Sequence, residues 1–379
     1  MDSIIYLDNN STTKVDEHVL QTMLSSFSED YGNASSNTHY PGILAKQAIE
    51  NSRNDLASLF NAEPNEFYYN SGATEGINTI LKGIFYAYKS KGNKIITSKT
   101  EHKAVLDTCE FLKQNGAEII YLDTNKNGEI DLTQLDNYID DTTILVALML
   151  ANNETGYIHP IKKIADIIHK KNCILFSDIT QAVGKIPIDL QELGIDTACI
   201  SAHKFYGPKG IGAIYLRRKK PRVKIAPLIH GGGQENGIRA GTANVPGIVG
   251  MSAAINQIKF EDNTITTLRD YLEFTLEKNV GAIILCKNQN RLPNTSNIML
   301  PFCTNLEVLH HLKSKFAISI GSACNSANNT PSHVLKSMGL SDKYIESSIR
   351  VSLSKYNTME EIKQFCDAII RIFNLKTTI

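Results

Sequence analysis

Between about residues 41 and 216, short apolar runs alternate with stretches of helical periodicity. FYYNS (67–71), KIITS (94–98), ILVALML (144–150), CILFS (173–177), TACIS (197–201) and IGAIYL (211–216) read as strands. ILVALML has no polar position, the pattern of a strand covered on both faces. After it, Ile161, Ile164, Ile167 and Ile168 fall on one face of a helix over 161–170. Strands alternating with helices predict parallel βαβ units, hence an α/β fold. Beyond about residue 257 the pattern becomes mixed helix and strand, which points to a second domain.

Polar residues gather where five of these strands end. FYYNS runs into Ser71-Gly72-Ala73-Thr74, and KIITS leads to Glu101-His102. ILVALML is followed by Asn152-Asn153-Glu154, CILFS by Asp178 and Gln181, and TACIS by His203 and Lys204. Open α/β sheets bind ligands outside the carboxyl ends of their strands. A hydroxyl, an imidazole, an amide, a carboxylate and an amine at five such ends therefore mark one site.

Those groups suit pyridoxal 5'-phosphate, which needs a lysine for its aldehyde and an acid against its ring nitrogen. Lys204 lies in a loop with nearby glycines, SAHKFYGPKG. Asp178 ends an apolar strand, where an unpaired carboxylate is costly and calls for a cation. Gly72-Ala73-Thr74 opens a helix whose N–H groups can hold phosphate. Taken singly, each has a plainer explanation: a helix cap, a surface loop, a capping turn. The joint pattern shifts the balance.

The segments YLDNNSTT (6–13), GNASSNTH (32–39), SGATEGIN (71–78), EHKAVL (101–106), ANNETG (151–156), SAHKFYGPKG (201–210), GGGQENGIRAGTANVPG (231–247) and GSACNSANNTPSHVL (321–335) come in this order. Together they resemble the cysteine desulfurases of the class V aminotransferase group. The resemblance implies pyridoxal-phosphate fold type I. The large domain, 15–257, would have a mainly parallel central sheet flanked by helices. A smaller α+β domain would form from 1–14 and 258–379. Lys204 would be the Schiff-base lysine, Asp178 the partner of the pyridine nitrogen and Gln181 that of the phenolic oxygen. His102 would stack on the ring and shuttle protons. Ala73, Thr74, Ser201 and His203 would hold the phosphate, with Thr242 reaching it from the neighbouring subunit of a homodimer. Asn153 would contact cofactor and substrate, and Arg350 would bind the substrate carboxylate. Cys324 would take sulfur from L-cysteine as a persulfide, releasing alanine, and pass it to an acceptor protein.

Cys324 stands out on its own terms. It sits in a small, polar run, Gly-Ser-Ala-Cys-Asn-Ser-Ala-Asn-Asn, whereas a structural cysteine is normally set among apolar groups. Cys109, Cys173, Cys199 and Cys366 fit that apolar description. Its presence argues against an aminotransferase, but leaves a selenocysteine lyase open. The chain departs from the family pattern as well: Ser11 replaces an alanine, Ala34 a proline, and Ser354-Lys355 a Gly-Arg pair. Asn325 and Thr330 also differ from frequent choices.

Composition narrows the remaining classes. Lys+Arg and Asp+Glu are equal at 39 in 379 residues, so no global basic field favours direct nucleic-acid binding. Seven scattered cysteines without a C-x-x-C suggest neither disulfides nor a metal site, and imply a reduced, cytoplasmic protein. The N-terminal apolar run is too short for a signal peptide, and no run reaches a membrane span. RRKKPRVK (217–224) reads either as a solvated turn or as a docking patch. Arg239, in the GIRAGT segment, is expected near the mouth of the site, and His310-His311 on a helix as a solvated or packed pair rather than a metal site.

Overall fold

The computed structural model describes residues 4–320 and 331–377. The strands among these are β1 (Ile5–Tyr6), β2 (Phe67–Asn70), β3 (Lys94–Ser98), β4 (Glu118–Leu122), β5 (Thr143–Ala147), β6 (Ile174–Asp178), β7 (Thr197–Ser201), β8 (Gly212–Leu216), β9 (Ile283–Ile284), β10 (Thr295–Met299), β11 (Phe316–Ala317) and β12 (Ser348–Ser352). Seven form the central sheet in the order β2-β8-β7-β6-β5-β3-β4. Within it β4, β3, β5, β6 and β7 are mutually parallel.

β8 differs from the parallel arrangement that alternation predicts. It runs antiparallel to both β7 and β2. The link from β7 to β8 holds only one short 3₁₀ turn, Ala202–Lys204. A parallel crossover needs a dozen or more residues, so this link can only reverse the chain. Because β2 and β7 both oppose β8, β2 runs with the parallel set, and its carboxyl end opens on the same edge.

Successive side chains of a strand face opposite sides, and the core follows that rule. Val146, Leu175 and Ile200 pack into one buried cluster, while their neighbours Leu145, Phe176 and Cys199 pack into another on the opposite face. All five positions of β5 are buried, as a doubly covered strand requires. The strand ends at Ala147, short of the predicted 150. Leu148 and Leu150 continue as buried chain, their N–H groups bonded to the carbonyls of Phe176 and Asp178. The helix Ile161–Lys170 forms over its predicted span, burying Ile161, Ile164 and Ile168.

A third core holds Ile5 and Leu7 together with Leu272, Ile298, Val351 and Phe365. It surrounds the antiparallel sheet β12-β10-β9 and the parallel pair β1-β11. The first residues of the chain thus pack with the last hundred. The segment after Leu7 then crosses to the edge of the central sheet, where Thr13 N–H bonds the carbonyl of His203. No helix among the described residues is long and apolar enough to cross a membrane.

Candidate active site

The carboxyl edge of the central sheet opens into a cavity of about 500 Å³. Ala73, Thr74, His102, Asn153, Asp178, Gln181, Ser201, His203, Lys204 and Arg350 all line it. Ten of the twelve residues singled out from the sequence are therefore brought together. Thr242 is exposed and does not line the cavity. Cys324 lies outside the described residues.

One end of the cavity is built to hold an anion. The helix Ala73–Ala87 begins there without a side-chain cap, so its first N–H groups are available. Its N-cap, Gly72, has φ +142°, and a Cβ at that position would stand 3.2 Å from Ser201 Oγ. The concavity therefore depends on glycine. Glu75 in the first turn would repel an anion, but Arg239 pairs with it at 2.9 Å, and Glu75 also accepts the Ser71 N–H. Arg239 thus acts on the cavity through Glu75, while itself lining a separate small pocket. Beside the cradle, His203 Nδ1 lies 3.1 Å from Thr12 Oγ1, and burial, ahead of the charges of Lys204 and Lys209, lowers its pKa to about 4.

Asp178 ends β6 with 8% exposure. Its Oδ1 accepts the Thr180 N–H at 3.0 Å and the Cys199 thiol at 3.5 Å, while Oδ2 has no hydrogen bond from the described residues. Lys204 Nζ donates to the carbonyls of Asn10 at 2.6 Å and Ser11 at 2.8 Å.

His102 caps the helix Lys103–Gln114, its Nδ1 accepting the Ala104 N–H at 3.1 Å. That bond fixes the tautomer, leaving the proton on Nε2. Burial holds its pKa below the usual value, against the pull of Asp178, with Lys204 and His333 adding to the lowering. Behind it, Glu101 is fully buried and accepts the Met149 N–H through both oxygens. Burial raises its pKa above the usual carboxylate range, and it lies under the loop that carries His102.

Arg350, on β12, is 2% exposed. It donates to Asp8 Oδ1 at 2.6 Å, Ser11 Oγ at 2.8 Å and the Asn153 carbonyl at 3.0 Å. Its Nε is buried without a partner. The cation is held at the cavity, with three of its five N–H groups bonded to described residues.

Several lining residues were not singled out from the sequence. Asn10, Thr12 and His333 face the same space. The pair of asparagines closing an apolar run, Asp8-Asn9-Asn10, was the available signal for Asn10. Ser332 donates to Glu154, and His333 Nε2 bonds the Glu101 carbonyl at 2.9 Å. Of the basic run, Arg217 is buried against Asp196, whereas Lys219, Lys220, Arg222 and Lys224 are exposed. His310 and His311 lie exposed on the helix Asn305–Leu312. The six described cysteines are all buried.

The donor set fits pyridoxal phosphate. A glycine-dependent anion cradle, a carboxylate oxygen with no partner among the described residues and an amine share one cavity of suitable volume. Comparisons with known proteins agree. The family model for class-V aminotransferases matches residues 5–365. A cysteine desulfurase from Anaeromyxobacter sp. (strain K) is 41% identical over 98% of this chain and 92% of its own. The solved structure of a NifS-like protein is 38% identical, with a TM-score of 0.91 over 98% of this chain and all of the other. That of SspA in complex with cysteine is 34% identical, with a TM-score of 0.83 over 93% of this chain and all of its own. The fold is pyridoxal-phosphate fold type I, and the chain belongs to the class-V aminotransferase family, on its cysteine desulfurase branch.

Proposed function

We propose that this pyridoxal-phosphate-dependent enzyme converts L-cysteine to L-alanine and carries the sulfur as a persulfide on Cys324. The observation that supports the reading best is the convergence of Lys204, Asp178, Arg350 and the Gly72 cradle on one cavity. When bound, the cofactor supplies an aldehyde for an amino group and a ring that draws electrons from the α-carbon. Lys204 would hold the cofactor at rest and would serve as the base for the substrate's α-proton. Asp178 Oδ2 keeps the ring nitrogen protonated. Thr74, Ser201 and His203, with the Ala73 N–H, hold the phosphate. Gln181 donates to the phenolic oxygen, and Asn153 contacts cofactor and substrate. His102, neutral near pH 7 with its proton on Nε2, stacks on the ring and passes protons.

Arg350 takes the substrate carboxylate. It then gives up part of its present hydrogen bonding to Asp8, Ser11 and the Asn153 carbonyl. The Cys324 thiolate attacks the substrate sulfur; an S–S bond forms as the C–S bond breaks. The carbon fragment takes one proton at Cβ and regains the α-proton from Lys204, and leaves as alanine.

The protein works as a cytoplasmic homodimer in which Thr242 reaches the partner's phosphate site. Thr242 is exposed on this subunit, and Leu20, Leu24, Phe27, Tyr31 and Tyr40 present apolar surface. The division into 15–257 and 1–14 with 258–379 accords with the separate core around Ile5 and Leu7. The persulfide passes to an acceptor protein of iron–sulfur assembly or another thiolation route. Borohydride tests the cofactor assignment: it should fix the cofactor to the Lys204 peptide, located by mass spectrometry. Labelling of another lysine, or none in a yellow protein, would refute it.

A further inference from the structure

Lys185 lies two turns of loop beyond Asp178, partly buried between the cofactor cavity and a second crevice of about 290 Å³. Neither its sequence context nor the chemistry above assigns it a task. Its Nζ donates to Gln181 Oε1 at 2.8 Å and Asn10 Oδ1 at 3.2 Å, and no carboxylate among the described residues pairs with it. Asn10 ties the lysines together. Its carbonyl accepts from Lys204 Nζ at 2.6 Å and Gln181 Nε2 at 3.0 Å. Its side-chain oxygen accepts from Lys185 and Asn294, and its Nδ2 donates to the Asn153 carbonyl and Thr295 Oγ1.

The Gln181 amide is therefore held at both ends. A carbonyl can only accept, so the end against Asn10 is the NH₂. One of its two hydrogens meets that carbonyl, and the second is left for the cavity that Gln181 lines. The opposite end, Oε1, is fixed by Lys185. We propose that Lys185 is a positioning residue for the cofactor: by gripping Gln181 Oε1 it keeps the amide NH₂ on the cofactor's phenolic oxygen.

The charged groups around Lys185 are consistent with a donor rather than a salt-bridge role. Lys204 and Arg350 face it from the cofactor side, and Lys259, Asp262 and Arg291 line the crevice behind. Arg291 is paired with Glu273 at 2.6 Å. Burial first, then Lys204 and Arg350, hold the Lys185 amine well below its ordinary pKa. The amine donates in either protonation state.

The inference rests on the cofactor assignment of the preceding section. Its readout is the pH midpoint of the bound cofactor's visible absorbance change. A donor on the phenolic oxygen stabilises the negative charge there and helps the adjacent nitrogen lose its proton. Lys185→Met should therefore raise the midpoint by about one pH unit, the scale of one hydrogen bond to a charged group. Lys185→Gln, which keeps an N–H donor, should recover at least half of that shift. In a Gln181→Ala background, Lys185→Met should add little, because the lysine acts through the amide. Thermal melting of the loaded variants shows that each is folded when it is read. An unshifted midpoint in Lys185→Met, or an equal shift with and without Gln181, would overturn the role. A folded wild-type protein with no cofactor band would overturn the cofactor assignment, and this inference with it.

Discussion

Arg350 shows how much of this site depends on single polar atoms. Its guanidinium is nearly inaccessible and already bonded to Asp8, Ser11 and the Asn153 carbonyl. A substrate carboxylate competes with those partners. Ser11 is a hydroxyl where the family pattern has alanine, and it supplies one of the bonds to be broken. Ser11→Ala should lower KM for L-cysteine roughly three- to tenfold with little change in kcat, the scale of one charge-assisted hydrogen bond. Steady-state kinetics decides: an unchanged or raised KM would mean that Ser11 does not restrain the arginine. Residues of this kind were legible in the sequence where a strand end made them conspicuous, as for Asp178 and Lys204. Asn10 was less so: the asparagine pair after an apolar run marks it only weakly, and its partners lie from 143 to 342 residues away.

At the scale of elements, the turn into the helix Ala73–Ala87 carries the strictest requirement. Gly72 has φ +142°, a conformation that side chains strain, and its missing Cβ leaves the space beside Ser201. Gly72→Ala should weaken pyridoxal-phosphate binding to the apo-protein at least tenfold, in line with strain of about 1–3 kcal/mol. Fluorescence titration measures this, and wild-type affinity would contradict the cradle. Strands with continuous apolar runs and the helix Ile161–Lys170 were readable because burial writes a period into the chain. β4 was not. It is an edge strand whose first four residues are exposed or partly so, and Glu118 and Tyr121 blur its pattern. The direction of β8 was hidden as well, since apolar composition says nothing of orientation; only the short link after β7 does.

For the whole molecule, acid should be the weak flank of stability. His159 is buried at 3% exposure with no partner for Nδ1, and burial lowers its pKa from 6.5 to about 4. The unfolded chain therefore binds a proton between these values that the folded chain refuses. Its neutral form supports the fold fully above pH 6.5, and that support is lost as pH falls toward 4. The loss reaches about 3 kcal/mol, taken at ~1.4 kcal/mol per pH unit. Melting curves from pH 7.5 to 4.5 should show Tm falling more steeply in the wild type than in His159→Gln. Equal slopes would show that another group governs acid unfolding. The packing of the first residues with the last hundred also joins both ends of the chain to the site, through Asp8, Asn10 and Arg350.

The central claim is that sulfur leaves L-cysteine through Cys324. Alanine and sulfide should be quantified from L-cysteine with a reductant, for the wild type and for Cys324→Ser loaded equally with cofactor. Equal yields of both products, lost in the variant while its visible spectrum remains, are expected. Sulfide release by Cys324→Ser at the wild-type rate would contradict the claim.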